Sequence, residues 1–380
     1  MKTRREFLKI AGSATALTLT GGVPGLLASA MAAGRDKELR ILCWEGYNSD
    51  QVLDPFRKKF AAKVQAESGT SDPDMINKLR AGEVNVWDLI NVNQPWARGQ
   101  LFPEKLIKPL DKERFAPYFE KMLPYFQGPF KTAIGPKGEL LGMAQRFGPF
   151  SFVVNTDKIS KDLAEDQGYQ LFLDPKMKGR YGVLTYDNWN IAHMCLTAGF
   201  DPYRKHTPAE FEAFTKVAHQ IFDGAKLMTD DLVSMNTALI NGEIDAYFTG
   251  GTYTSSPARL DGEDQVLAIT PKSGPVDGKG GVVWIELTSL VNNPDASPLA
   301  PEFLAYVQEP EVSHRVAFAE GTYNPVAQMG NPDVLALFSK EELKAIQWDT
   351  LEEEMARSID FGINPDYEAM FKIYKAAKRS

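Results

Sequence analysis

Apolar residues in this chain come in short blocks separated by amphipathic stretches. Residues 38–44 (Glu-Leu-Arg-Ile-Leu-Cys-Trp) read as a strand, and 51–62 as the helix that follows it. Residues 74–81 are helical, with Asp72, Pro73 and Asp74 as start signals. Residues 87–93 form a second strand, nearly all apolar around Asp88, as expected where helices cover both faces of a sheet. Strand-like runs recur at 151–155, 181–185, 246–249 and 282–291. Helical stretches alternate with them at 190–198, 208–222, 231–241, 300–308 and 310–320. This alternation predicts α/β domains with largely parallel sheets.

The first residues follow another rule. Arg4 and Arg5 are adjacent, Phe7 and Leu8 follow at the twin-arginine spacing, and Lys9 closes the charged region. A modestly apolar stretch, 10–27, then leads to the small residues Ala28, Ser29, Ala30, Ala32 and Ala33. This is the layout of a twin-arginine export signal. Gly12, Gly21, Gly22 and Pro24 dilute it too much for a permanent anchor. Cleavage after Ala30 or Ala33 is expected, giving a periplasmic protein.

Removing 1–33 takes away three net positive charges, so the formal charge moves from −8 to −11. Such an acidic product is a poor partner for nucleic acid or anionic lipid and is compatible with a cationic ligand. The remaining roughly 350 residues exceed what one hydrophobic core covers, so two domains are expected. Cys43 and Cys195 lie in apolar runs and read as buried free thiols. The four histidines, at 193, 206, 219 and 314, have no ligand-like spacing, so no metal site is expected. No cofactor fingerprint and no nucleophile motif occurs, which argues against an exported enzyme. No Gly/Ser or Pro-rich linker is visible, so two domains require more than one ordered crossing segment. The candidates are 143–150 and 280–287, which would form a hinge.

Seven segments follow one another along the chain: Leu42-Cys-Trp44-Glu-Gly-Tyr47, Met75-Ile-Asn-Lys-Leu-Arg80, Trp87-Asp-Leu-Ile and Phe147-Gly-Pro-Phe-Ser-Phe-Val-Val-Asn155. After them come Leu239-Ile-Asn-Gly-Glu-Ile-Asp-Ala246, Gly280-Gly-Val-Val-Trp284-Ile-Glu286 and Ala319-Glu-Gly-Thr-Tyr-Asn-Pro325. In this order they make the chain resemble the periplasmic solute-binding proteins of ABC importers, specifically the spermidine/putrescine-binding group. The resemblance implies a two-lobed α/β periplasmic binding protein of type II, with two crossing strands and an inter-domain ligand cleft. Lobe I is expected at 36–146 plus about 285–333, and lobe II at 147–284 plus about 334–380. It further implies a monomer that closes on a polyamine or similar small cationic or zwitterionic amine, without catalysis or cofactor. The ligand is then delivered to an ABC permease of the inner membrane.

A cleft for such a ligand needs aromatic faces for cation–π contact and carboxylates for charge-assisted hydrogen bonds. Trp284 and Glu286 sit two apart in a strand and so point to one face. The resemblance adds Trp44 and Tyr47 from the first loop, Trp96 after the second strand, Asp187 before a helix, and Tyr323 or its neighbour Thr322 late in the chain. Asp187 reads equally as a helix N-cap. Glu45 is one position off the family's acidic residue, which Gly46 replaces, and Asp349 stands near a late polar contact. Asn190 replaces a second acid, Thr249 replaces a Trp, and Arg146 stands where the family has an uncharged residue. A buried Arg146 would repel a second ammonium and favour a carboxylate or phosphonate end. Binding proteins of the same fold for an aminophosphonate, an amino-acid-like compound, thiamine or ferric iron are the alternatives. A ferric site wants clustered tyrosine oxygens; Tyr247 and Tyr253 are available but not adjacent, which disfavours iron.

Overall fold

The computed structural model describes residues 35–69, 71–128 and 132–379; the export signal and its cleavage positions lie outside the described residues. The strands in the first half are β1 (Glu38–Cys43), β2 (Lys63–Ser68), β3 (Leu89–Asn93), β4 (Ile107–Lys108), β5 (Met143–Asn155) and β6 (Tyr181–Leu184). Those that follow are β7 (Leu227–Thr229), β8 (Ala246–Gly251), β9 (Val266–Ile269), β10 (Gly281–Val291) and β11 (Ser358–Asp360). They form one continuous sheet in the order β2-β1-β3-β10-β5-β8-β6-β7, with β4 and β11 on β10 and β9 on β5.

The outer strands pair in parallel, as the alternating pattern predicts: β1 with β2 and β3, and β6 with β7 and β8. The middle does not. β10 runs antiparallel to β3 and β5, and β5 antiparallel to β8 and β9. The sheet is therefore mixed rather than largely parallel, because the two strands that carry the chain between lobes run against most of their neighbours, β10 being parallel only to β11. Both are buried at every position, as a strand covered on both faces must be.

Apolar burial divides at this seam. One cluster gathers Leu39 to Phe147 with Val283 to Met355. A second gathers Phe152 to Ile269, Val282 and Phe361 to Ala377, and a third, around Val153, Leu184 and Leu239, covers the other face of the second lobe's sheet. Val334, Phe338, Ile346, Leu351 and Met355 pack with the first cluster, while the same segment, expected in lobe II, also bonds the second lobe through Lys344 to Arg259, Gln347 to Ala268 and Glu354 to Thr270. The chain thus passes between lobes three times: in β5, in β10, and again between Met355 and Phe361. Cys43 and Cys195 are buried free thiols, one in each lobe. Among the described residues no helix is long and apolar enough to cross a membrane.

Candidate ligand cleft

Along the β5–β10 ladder, Trp284 stands opposite Gly148 and Ile285 opposite Phe147. The register then shifts, so that Leu287 meets Ala144. Two residues of β5, Gln145 and Arg146, therefore oppose the single Glu286. Such a bulge re-aims a side chain and is common beside functional sites. Arg146 leaves the ladder to bridge Val326.

The guanidinium meets Glu286 as a fork, Nε donating to Oε2 at 3.0 Å and Nη2 to Oε1 at 3.2 Å. Tyr47 donates its hydroxyl to the same carboxylate at 2.7 Å, and Nη2 also donates to the Glu45 carbonyl at 2.8 Å. The Tyr47 ring lies 4.6 Å beneath the guanidinium. Arg146 is 1 % and Glu286 5 % exposed. Burial opposes the charge on Arg146, yet Glu286 holds it protonated. Burial also lifts the Glu286 carboxyl above its ordinary value, and Arg146 pulls it back. Gly46 makes this approach possible. Its φ is +95°, and a Cβ there would sit 2.9 Å from Arg146 Nη1 and 3.1 Å from the Ala319 Cβ.

Trp284 is buried but belongs to none of the three apolar clusters among the described residues. It lies over Gly148, and Tyr253 stands edge-on to it, centroids 6.3 Å apart. Tyr253 lies in the first turn of the helix Thr252–Leu260 of the second lobe. Its hydroxyl donates across the cleft to Glu45 Oε1 at 2.8 Å. Burial and then Glu45 raise its pKa, so it remains a neutral donor. Trp44 is fixed from below. Its Nε1 donates at 3.0 Å to the buried Asp72, which also accepts from the backbone and side-chain amides of Asn93. Burial raises Asp72 to about 6 against those hydrogen bonds.

Trp44, Tyr47, Arg146, Trp284 and Glu286 thus gather where the lobes meet. Trp96 packs against both principal clusters at the seam, its Nε1 buried and without a partner among the described residues. The other expected residues lie elsewhere. Asn190 is fully buried, donating to the Leu184 carbonyl at 2.7 Å and the Tyr374 hydroxyl at 3.0 Å. Thr249 is also fully buried, in the left-handed region at φ +66°, and its hydroxyl meets His193 Nδ1 at 2.9 Å. Both are committed to the interior of the second lobe and are not proposed as ligand contacts. Asp187 is the first residue of the helix Asp187–Thr197, whose N-cap is Tyr186, so the N-cap alternative does not hold. Its carboxylate faces Tyr374 and Tyr367 of the C-terminal helix. Tyr323 packs its ring on Phe318 at 4.9 Å, while its backbone N–H and C=O both bond the Ser256 hydroxyl.

Three contributors escape the sequence reading. Glu45 is set aside there because Gly46 takes the family's acidic position. Tyr253 is considered only for iron, and Asp72 only as a helix-start signal. The Gly250-Gly251 pair before Tyr253 was the available cue, since it frees the backbone at a strand end. Tyr247 bonds Asn236 and Thr254 inside its own lobe, away from Tyr253 and Glu45.

The architecture is that of the type II periplasmic binding proteins. Solved structures with the same fold include a candidate spermidine/putrescine ABC transporter protein of Listeria monocytogenes, at TM-score 0.69 and 14% identity. They also include the spermidine/putrescine substrate-binding protein PotD of Streptococcus pneumoniae, in complex with calcium and HEPES, at 0.64 and 15%. A third is the periplasmic binding protein AgtB of A. tumefaciens in complex with agropinic acid, at 0.58 and 17%. Each alignment covers 90% of this chain and 99% of the other. No protein-family model and no curated protein matches the chain.

Proposed function

We propose that this chain is the substrate-binding component of an ABC uptake system. It is exported by the twin-arginine route and captures a small amine between its lobes for delivery to a membrane permease. The observation that carries this reading is the placement of Trp284. It is buried outside every core, in a strand that joins the lobes, and is faced by a tyrosine that reaches across to Glu45. An indole face and a carboxylate drawn from both sides of a seam suit an ammonium group. The names of the structural neighbours support capture of a small molecule, and no catalytic step is proposed.

A thermal-shift screen of the chain lacking 1–33, over amines, amino acids, aminophosphonates, thiamine and ferric salts, tests it. A ligand held only by the folded protein should stabilise it by about 2.7 kcal/mol at a hundredfold excess over Kd. If no amine raises the melting temperature, the reading fails.

A further inference from the structure

Arg146 is the largest fully buried side chain among the described residues. Of its five N–H donors, those of Nε and Nη2 are engaged with Glu286 and the Glu45 carbonyl. Nη1 is buried with no partner among the described residues. The neighbouring loop repeats this pattern. Asn324 is fully buried with both amide atoms unpartnered, and Thr322 Oγ1 is likewise unpaired. Asn324 lies two residues before Val326, the residue that bridges Arg146. Buried polar atoms left unpaired need an explanation, a water, an ion or a ligand group among them.

The charges point the same way. Glu286 is neutralised by Arg146 and hydrogen-bonded by Tyr47, so it offers little to an incoming ammonium. Glu45, which accepts from the Tyr253 whose ring faces Trp284, is the carboxylate placed to meet one. The pair is neutral overall, but the unpaired Nη1 carries only donor hydrogens and so suits an acceptor rather than a second ammonium.

We propose that Arg146 Nη1, with the Asn324 amide, receives a carboxylate, and that the ligand is an amino-acid-like zwitterion rather than a diamine. This rests on the capture of an amine proposed above. In that arrangement the ammonium end lies against Glu45, Tyr253 and Trp284, and the Arg146–Glu286 pair sets specificity instead of binding a cation.

Isothermal titration of the wild-type protein with chain-length-matched straight-chain diamines, monoamines and ω-amino acids tests the proposal. At the best length, the amino acid should bind at least about tenfold more tightly than the monoamine or the diamine, the scale of one hydrogen bond to a charged group. A diamine that binds as tightly overturns this inference and leaves amine capture standing. Binding of none of the amines overturns both. Arg146→Lys keeps a cation against Glu286 but loses the second fork nitrogen, and Asn324→Leu removes two unpaired polar atoms without adding charge. Both should fold, and both should lose most of the preference for the amino acid over the monoamine. An unchanged preference in two folded variants overturns the assignment of these residues.

Discussion

Glu286 accepts hydrogen bonds from Tyr47 and from two nitrogens of Arg146 in a site closed to water, so substitution there acts on folding before it acts on binding. Glu286→Gln leaves a guanidinium buried without its counter-charge. We expect a loss of about 3–5 kcal/mol, read from the urea unfolding midpoint. A change under about 1 kcal/mol would mean that Arg146 does not depend on this partner. The period-2 spacing shows in advance that Trp284 and Glu286 share a face. The partnership with Arg146 is not legible there, because it spans 140 positions and depends on a bulge that no spacing announces.

Asp72 gives a second test at the same scale. Its folded value of about 6 lies above the ordinary 3.8, so between those values the folded chain holds more protons than the unfolded one. Stability contributed by Asp72 is therefore present at about pH 4 and lost as pH rises through about 6, by on the order of 3 kcal/mol. His193 works in the opposite sense. Burial lowers it to about 3, so its contribution falls as pH drops below its ordinary 6.5. Asp72→Asn should remove the first slope and leave the second. An unaltered profile between about pH 4 and 6 in that variant would rule out Asp72 as its source.

Among the elements, the long buried strands and the amphipathic helices are the legible part. Helix Pro208–Gly224 begins at Thr207 with a capping box closed by Glu210, and β10 appears within a residue of its expected start. Edge strands are not legible. β2 reads Lys-Val-Gln-Ala-Glu-Ser, mostly exposed and polar, and only its pairing with β1 makes it a strand. Short β7, only partly buried, is missed for the same reason, whereas β9 reads Val-Leu-Ala-Ile and is mostly buried, but its four residues are too few to set a period. The helix Thr252–Leu260 carries Tyr253 against Glu45 and Ser256 against the Tyr323 backbone, and so bears on the proposed closure. Tyr253→Phe removes one hydrogen bond to a carboxylate, and should shift the open–closed balance of the ligand-free protein toward open by roughly tenfold. Distances between spin labels on the two lobes would show it. An identical distribution in both proteins would mean that this contact does not hold the lobes.

For the whole molecule, chain length, the absence of a flexible linker and two Gly/Pro-marked crossing segments are enough to anticipate two lobes with a hinge. The expected lobe bounds also imply a third passage, near residue 333, but its place, between Met355 and Phe361 in the packing of the apolar clusters, is not legible. The segment is short, and β11 holds its place by pairing with β10. Which core residues 334–355 join is equally hidden, because helices of mixed polarity can cover either lobe and only the packing decides.

Three separate spans between the lobes also mean that no single peptide bond holds the halves together. A protease nick in one connector would leave two others intact, and the packed sheet would keep the resulting pieces associated. Limited digestion should therefore yield fragments that separate in denaturing gels yet travel as one species under native conditions.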